Sequence, residues 1–393
     1  MLTSLGWIFL TGLLLGEIAR KLGLPKLVGM LLAGILLGTC GLDLLEATIQ
    51  SVSADLRKLA LVIILLKAGL SLDLQDLKKV GRPALLMAFL PAAFEVVGYL
   101  LLAPVLLPVT RTEAMVLGAV MSAVSPAVVV PRMVALMEEK RGTDKGIPQM
   151  ILAGASLDDV FVLVLFTAFV GMAQGGPPEV TVLLDVPVSI LSGVALGCAV
   201  GWLLAALLHR VRIQVPTEVI LLLGVGCFLL AAESALANRL ALSGLLAVMS
   251  AACVIRARCP AEEQLALSGA FGKLWLGAEV LLFVLVGAAV DVGYVLEAGP
   301  GVLLLIPAAL AVRSAGVLLC LVKTPLNRKE RLFCVIAYLP KATVQAAIGG
   351  IPLAMGLPCG DLVLSVAVTG ILLTAPLGAL GIDRGKAYFL KTE

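Results

Sequence analysis

Charged residues are scarce in this chain. Only 14% of its 393 residues are Asp, Glu, Lys or Arg, whereas 61% are hydrophobic, and the mean hydropathy is +1.11. A soluble domain of this length needs far more charge to cover its surface, so the composition excludes a soluble globular protein and indicates an all-α polytopic membrane protein. The net charge of +3 does not indicate a nucleic-acid partner, because the basic residues lie in short loops between apolar stretches. The expected partner is the lipid bilayer.

The chain also has only one histidine and no closely spaced pair of cysteines. The single histidine, His209, lies in a basic loop, which argues against a histidine-based metal site or catalytic triad. The eight cysteines are scattered and form no C-x-x-C motif, so we interpret them as small apolar helix residues. An intramembrane aspartyl protease needs aspartates on two facing helices, usually with a GxGD signature, and the chain has neither. We therefore expect no enzyme and no cofactor.

Apolar stretches of about 20 residues are long enough to cross the hydrocarbon core of a bilayer as helices. By this measure the sequence predicts about thirteen transmembrane helices. The predicted spans are 2–19, 24–40, 55–72, 82–107, 112–137, 148–172, 185–208, 216–235, 240–256, 274–292, 300–322, 331–356 and 360–380.

The distribution of lysine and arginine predicts the orientation of these spans. If the N-terminus is outside, the inner loops and the C-terminus hold 21 of the 29 basic residues and the outer loops hold four. Positive residues are enriched in cytoplasmic loops, so we expect the N-terminus outside and the C-terminus inside a plasma membrane or bacterial inner membrane.

Two parts of the sequence repeat. Span 3 has a glycine and an aspartate at positions 69 and 73, and span 10 has the same pattern 218 residues later. The same offset relates Glu95 in span 4 to Arg313 in span 11. Spans 1–6 (1–172) and spans 8–13 (216–393) are therefore predicted to be two halves of opposite orientation, joined by span 7 (173–215). Inverted repeats are typical of secondary transporters.

Prolines interrupt equivalent spans of the two halves. Span 5 contains SAVSPAVVVP, with Ser125 beside the first proline, and span 12 contains YLPKATVQAAIGGIP, with Thr343 and Gln345. Proline removes a backbone donor and breaks a helix, and polar neighbours can satisfy the freed groups. The pattern predicts two discontinuous crossed helices, whose unwound ends offer carbonyls and helix dipoles to an ion at mid-membrane.

Two adjacent aspartates, Asp158 and Asp159, stand in the middle of span 6 with about ten mostly apolar residues on either side. Inserting one charge at the bilayer centre costs about 2.5–3.5 kcal/mol, so such a pair indicates binding of a cation, a proton, or each in turn. Carboxylates, hydroxyls and carbonyls are the ligands of a hard monovalent cation. The candidate cation and proton ligands are Asp158, Asp159, Ser125, Ser156 and Thr343.

Three further charges fall near mid-membrane by residue count. The repeat places Glu95 and Arg313 at similar depth, and we expect them to form an ion pair with a mainly structural role. Lys341, beside the break in span 12, either compensates the charge of Asp158 or snorkels towards the interface.

Taken together, these motifs resemble the cation:proton antiporter superfamily, in its paired-aspartate branch, and in particular the NHA-type sodium/hydrogen exchangers and their bacterial relatives. The resemblance covers the whole chain. It rests on the segments LKAGLSLD at 66–73, VSPAVVVP at 124–131, GASLDDV at 154–160 and LPKATVQAAIG at 339–349.

The resemblance implies the sodium/proton antiporter fold, a homodimer, a core of spans 3–5 and 10–12, and elevator-like alternating access. The implied activity is exchange of sodium or lithium for protons at Asp158 and Asp159. The alternatives are a potassium/proton antiporter and a sodium-coupled symporter on the same fold. Span 10 lacks the lysine that many paired-aspartate antiporters carry there, and Arg313 or Lys341 is the candidate substitute.

Overall fold

The computed structural model describes the backbone of residues 1–39, 41–71, 74–174, 180–211, 213–236, 242–290, 293 and 299–391. Within these residues the regular elements are helices, with no β-strand. In chain order the helices are α1 (Leu2–Lys21), α2 (Lys26–Leu37), α3 (Ala47–Ser71), α4 (Leu74–Met87), α5 (Leu90–Leu106), α6 (Arg111–Ser122), α7 (Pro126–Glu138), α8 (Ile147–Ala173), α9 (Val180–Val211), α10 (Val215–Leu236), α11 (Gly244–Arg258), α12 (Ala261–Ala288), α13 (Gly299–Cys320), α14 (Arg328–Ala337), α15 (Thr343–Ile348), α16 (Ile351–Ala354) and α17 (Gly360–Phe389).

Every predicted span overlaps described helices, so the expected all-α membrane architecture is confirmed, and nine helical segments of the described residues are long and apolar enough to cross a membrane. Spans 5 and 12 are broken near their middles and are formed by α6 with α7 and by α14 with α15 and α16, whereas span 4 takes in the end of α4 and all of α5. Several helices outrun the predicted spans. For example, span 10 was predicted to begin at position 274, but α12 begins at Ala261. Its first turns are helical but too hydrophilic to be counted as part of a membrane span by hydropathy.

The chain divides into two compact units. The first comprises Met1–Ala54, Leu74–Val162 and Phe283–Glu393, and the second comprises Asp55–Asp73 and Leu163–Leu282. These units cut the chain differently from the two repeat halves at 1–172 and 216–393, which stay a prediction. Positions 73 and 291 of the repeat lie outside the described residues.

In the second unit, glycines on one face of α9 permit close contact with α11. A Cβ atom added to Gly193 would lie 2.5 Å from the Ser243 carbonyl oxygen, and one added to Gly201 would lie 2.6 Å from the Ala251 carbonyl oxygen. Small residues at four-residue spacing let membrane helices approach until their backbones touch, which replaces the hydrophobic driving force that lipid does not supply.

Span 3 also packs in this second unit. A Cβ atom at Gly69 would lie 2.6 Å from the Ala252 Cβ atom and 2.7 Å from the Met249 carbonyl oxygen, so α3 is in close contact with α11. The resemblance implied that spans 3 and 10 belong to the core with spans 4, 5, 11 and 12. The compact units place residues 55–73 of span 3 with 163–282, and small-residue contacts join span 3 to span 9. Residues 283–290 of span 10 lie in the first unit with spans 4, 5, 11 and 12, so span 10 is divided between the units.

In the first unit, the end of α17 is fastened to α7 and to the loop after it. Arg132 forms a two-bond ion pair with Asp383, with Nε–Oδ1 and Nη2–Oδ2 distances of 3.0 Å. Lys386 donates a hydrogen bond to Glu139, and this lowers the pKa of that exposed carboxyl group. Leu390 is buried in the apolar cluster beneath. We call these five residues the C-terminal clasp.

The α9–α11 contact generates a test. We expect Gly201→Ala to destabilise the protein by about 1–3 kcal/mol, because the added methyl group forces the two backbones apart. Gly224 on α10 has open space around its Cα atom and is the matched control. Because alanine is the better helix former, Gly224→Ala is expected to be neutral or to stabilise by up to about 1 kcal/mol. Melting temperatures in detergent measure both, and equal shifts would contradict the close contact.

Candidate cation and proton site

Two helices of the first unit are interrupted at mid-span. Residues 123–125 are extended between α6 and α7, and residues 338–342 are non-helical between α14 and α15. Pro126 is the first residue of α7, where its missing N–H group is not needed, and Pro340 lies inside the second break. The two discontinuous helices expected from the sequence are therefore present.

The two breaks cross and are hydrogen-bonded to each other. The Ser125 N–H group donates to the Pro340 carbonyl oxygen over 2.8 Å. The Gln345 amide nitrogen donates to the Ala123 carbonyl oxygen over 2.8 Å, while its amide oxygen accepts the Ala342 N–H group over 2.8 Å. Backbone groups that the breaks release are thus paired inside the crossing, as burial in a membrane requires.

Arg313, on α13, connects both breaks to two carboxylates. Its Nη1 atom lies 2.8 Å from Glu95 Oε2 and donates to the Ser122 carbonyl oxygen. Its Nε atom donates to the Tyr338 carbonyl oxygen over 2.8 Å, and Nη2 lies 3.4 Å from Asp158 Oδ2. The guanidinium side chain is only 1% exposed. The Glu95–Arg313 pair expected from the repeat is present in the structure, and Arg313 makes more contacts than that expectation included.

Lys341 pairs with Glu95 rather than with Asp158. The Lys341 Nζ atom lies 2.6 Å from Glu95 Oε2, with both side chains fully buried. Its backbone N–H group donates to the Thr374 hydroxyl on α17 over 2.9 Å. The ammonium group is buried, so snorkelling does not describe this structure, and the role of Lys341 in compensating the charge of Asp158 stays a prediction. The rigid Arg313 fork reaches Glu95 and Asp158 together and supplies the positive charge next to Asp158.

The two aspartates have different surroundings, because adjacent residues on a helix point about 100° apart. Asp158 is fully buried, and its Oδ2 atom accepts the Val124 N–H group over 2.7 Å in addition to facing Arg313. Asp159 has no ion-pair partner among the described residues. Five buried oxygens of this region have no hydrogen-bond partner in the described part of the chain: Asp158 Oδ1, Asp159 Oδ1, Ser125 Oγ, Glu95 Oε1 and the Tyr338 hydroxyl oxygen. Such atoms are able to bind a cation or a proton.

The other two candidate ligands are less well defined. Thr343 is the first residue of α15 and is 3% exposed. Ser156 lies on α8, but its side chain falls outside the described residues. Both stay predictions as ligands.

Several carbonyls expected to face an ion already have protein donors. Arg313 binds the carbonyls of Ser122 and Tyr338, Gln345 binds that of Ala123, and the Ser125 N–H group binds that of Pro340. A carbonyl oxygen has two lone pairs, so one protein donor does not exclude an ion at the same oxygen. The expectation that the unwound ends offer carbonyls to an ion stays a prediction.

A glycine in the aspartate motif has a packing role that sequence reasoning missed. A Cβ atom at Gly154 would clash with the Tyr338 hydroxyl group, so glycine lets α8 lie against the break in span 12. Tyr338 in turn lies under the guanidinium group, with the Arg313 Cζ atom 5.5 Å from its ring centre. The sequence predicted that polar neighbours such as Gln345 satisfy the groups freed at the break, and the structure confirms this for Gln345. It gave no role to Thr374, although a polar residue in an apolar helix was the available signal.

The sequence profile of the family described as "Sodium/hydrogen exchanger, transmembrane" matches residues 7–383. The chain belongs to this family. It is therefore a multi-span integral membrane protein of the sodium/hydrogen exchanger family. Among curated relatives, sodium/hydrogen exchanger 9B2 of Homo sapiens is 32% identical over 369 residues, which cover 91% of this chain and 68% of the relative. Sodium/hydrogen exchanger 9B1 of Homo sapiens is 30% identical over 372 residues, covering 91% and 71%.

The fold of this family member is similar to that of a solved antiporter. The sodium proton antiporter MjNhaP1 from Methanocaldococcus jannaschii, determined at pH 8, matches with a TM-score of 0.82 and 19% identity. The match covers 98% of this chain and 97% of the antiporter chain. An electron-microscopy structure of the same antiporter matches with a TM-score of 0.73. These likenesses establish the antiporter fold and are too distant in sequence to establish more.

The arginine contacts generate a test of the buried charges. We expect Arg313→Gln to lower the melting temperature more than Glu95→Gln does, because Arg313 also holds Asp158 and two carbonyls. Breaking a buried pair from one side typically costs about 3–5 kcal/mol. The double variant should cost less than the two single changes together, because the Glu95–Arg313 contact is lost only once and the remaining Lys341 and Asp158 carry opposite charges. Additive losses across the four proteins would mean that the two side chains are not coupled.

Proposed function

We propose that this protein exchanges a monovalent cation, sodium or lithium, for a proton at Asp158 and Asp159. One observation carries the proposal. Two adjacent carboxylates lie in the middle of a membrane-spanning helix, and only Asp158 has a cationic partner and a backbone donor among the described residues. A carboxylate left without compensation at mid-membrane is strongly biased towards taking up a positive charge.

In this proposal Asp159 is the carrier and Asp158 is a fixed neighbour. Asp159 binds either a proton or a cation, and the two compete for the same oxygens. Asp158, held by Arg313 and the Val124 N–H group through Oδ2, contributes its free Oδ1 atom. The Ser125 hydroxyl is a third oxygen ligand, and Thr343 and Ser156 are further candidates. Carboxylate and hydroxyl oxygens suit a hard cation such as sodium.

The charges of the site support one-for-one exchange. Three carboxylates (Glu95, Asp158 and Asp159) face two cationic groups (Arg313 and Lys341), so the fully ionised cluster has one net negative charge. One proton or one monovalent cation brings it to neutrality. A loaded site is then neutral with either cargo, which makes it cheapest to move across the membrane in both loaded forms.

Elevator-like alternating access is the proposed movement. Such a movement requires one body that carries the whole site. All five charged side chains lie in the first compact unit, which supports this arrangement. Obligatory exchange follows if only a loaded site moves between the two sides of the membrane.

The orientation, with the N-terminus outside and the C-terminus inside, rests on the bias of lysine and arginine towards the predicted inner loops. The homodimer rests on the family resemblance. The relatives named above are sodium/hydrogen exchangers, which favours sodium over potassium as cargo and exchange over symport.

Asp159→Asn is expected to abolish sodium-driven proton flux in proteoliposomes while the protein still folds, because asparagine retains the shape and cannot bind a proton. Asp144→Asn is the matched control, since Asp144 is exposed in the loop before α8. A panel of sodium, lithium and potassium in the same assay identifies the cargo. Wild-type flux in well-folded Asp159→Asn protein would falsify the assignment of the carrier.

The one-for-one scheme predicts that the rate of sodium/proton exchange is nearly unaffected by membrane potential. The rate is measured in proteoliposomes with a potassium–valinomycin potential of either sign. A strong dependence of the rate on potential would contradict a single alternating carboxylate and would make Asp158 a second proton carrier.

A further inference from the structure

Gln345 is a fully buried, uncharged side chain at the crossing of the two breaks. Its amide oxygen accepts the Ala342 N–H group, and its amide nitrogen donates to the Ala123 carbonyl oxygen and lies 3.5 Å from that of Met121. We propose that Gln345 is a positioning residue for the cation and proton site, because its amide sets the relative placement of the two broken helices. This inference rests on the function proposed above.

The chemistry of the position demands an amide. One partner is a backbone donor freed by the break in span 12, and the other is a backbone acceptor freed by the break in span 5. A primary amide offers an acceptor and a donor at once, whereas a carboxylate only accepts and an ammonium only donates. A buried backbone group left unpaired costs about 1–3 kcal/mol of stability, so removing this side chain is unfavourable at both partners.

Both partners of the amide are next to groups that hold the charged cluster. Ala342 follows Lys341, whose ammonium group lies on Glu95, and Ala123 precedes Val124, whose N–H group binds Asp158. Peptide units are planar and rigid, so fixing one residue restricts the orientation of its neighbour. A shift of the amide is therefore transmitted to Asp158 from one side and to Glu95 from the other.

The first test compares Gln345→Met with wild-type protein. Methionine has a similar length and offers no amide, so the Val124 N–H group loses its fixed position beside Asp158. We expect the KM for sodium to rise about tenfold, the equivalent of one lost hydrogen bond, while kcat at saturating sodium changes much less. Thr369→Val is the control, since among the described residues its hydroxyl bonds within α17, to the Ser365 carbonyl oxygen. A KM shift no larger than that of the control would overturn the proposal.

The second test uses Gln345→Glu as a conservative variant that is switched by pH. A protonated glutamate keeps one donor for the Ala123 carbonyl and one acceptor for the Ala342 N–H group. An ionised glutamate places an anionic oxygen against that carbonyl. We expect the ratio of variant to wild-type KM, measured at the same pH, to approach one at low pH and to increase as the pH rises. A ratio that is independent of pH, or that falls as the pH rises, would overturn the positioning role.

Failure of the proposed function gives a different result from failure of this inference. If wild-type protein shows no sodium-driven proton flux, the exchange assignment fails, and Gln345 is then judged by stability alone. The melting temperature of Gln345→Glu relative to wild type is expected to fall as the pH rises, because ionisation breaks one bond of the crossing. A difference that does not change with pH would show that the amide does not hold the two breaks together.

Discussion

The buried positive charge of Arg313, whose side chain is 1% exposed, is the constraint on which the geometry of this site depends. Arg313 cannot shed its charge, and at mid-membrane an unpaired cation is costly, so every donor of the fork has to find an acceptor. It finds two carboxylates and two carbonyls. Those carbonyls exist as acceptors only because the helices of spans 5 and 12 stop there. The broken helices and the buried arginine therefore satisfy each other.

This mutual dependence explains the different surroundings of the two aspartates. The fork fixes Asp158 from one side, and the N–H group of Val124 at the break fixes it from another. Asp159, one residue later on α8, is turned away from both. One carboxylate thereby has a cationic partner and a backbone donor, whereas the other has no ion-pair partner among the described residues, although both positions carry the same amino acid.

Much of this arrangement was predictable from the sequence. Hydropathy predicted the spans, prolines predicted the two breaks, and the repeat offset of 218 residues predicted that Glu95 and Arg313 meet. The partner of Lys341 was not predictable, because Glu95 and Asp158 lie at similar depth and only the backbone path of residues 338–342 selects between them. The use of two freed carbonyls by Arg313 was missed for a similar reason. Residue counts give depth in the membrane, whereas hydrogen bonding depends on rotation about each helix axis.

The C-terminal clasp has a mechanical consequence for the site. Helix α7 has 13 residues and is therefore about 20 Å long, since each residue of an α-helix adds about 1.5 Å. The helix begins at Pro126, two residues after Val124, whose N–H group binds Asp158. Arg132, halfway along the helix, pairs with Asp383 on α17, and Glu139, directly after its last residue, accepts a hydrogen bond from Lys386. A rigid helix that is fixed to a neighbour at one point transmits a tilt of that neighbour along its length. A small tilt of α17 would therefore move α7 and, with it, the Val124 N–H group that binds Asp158.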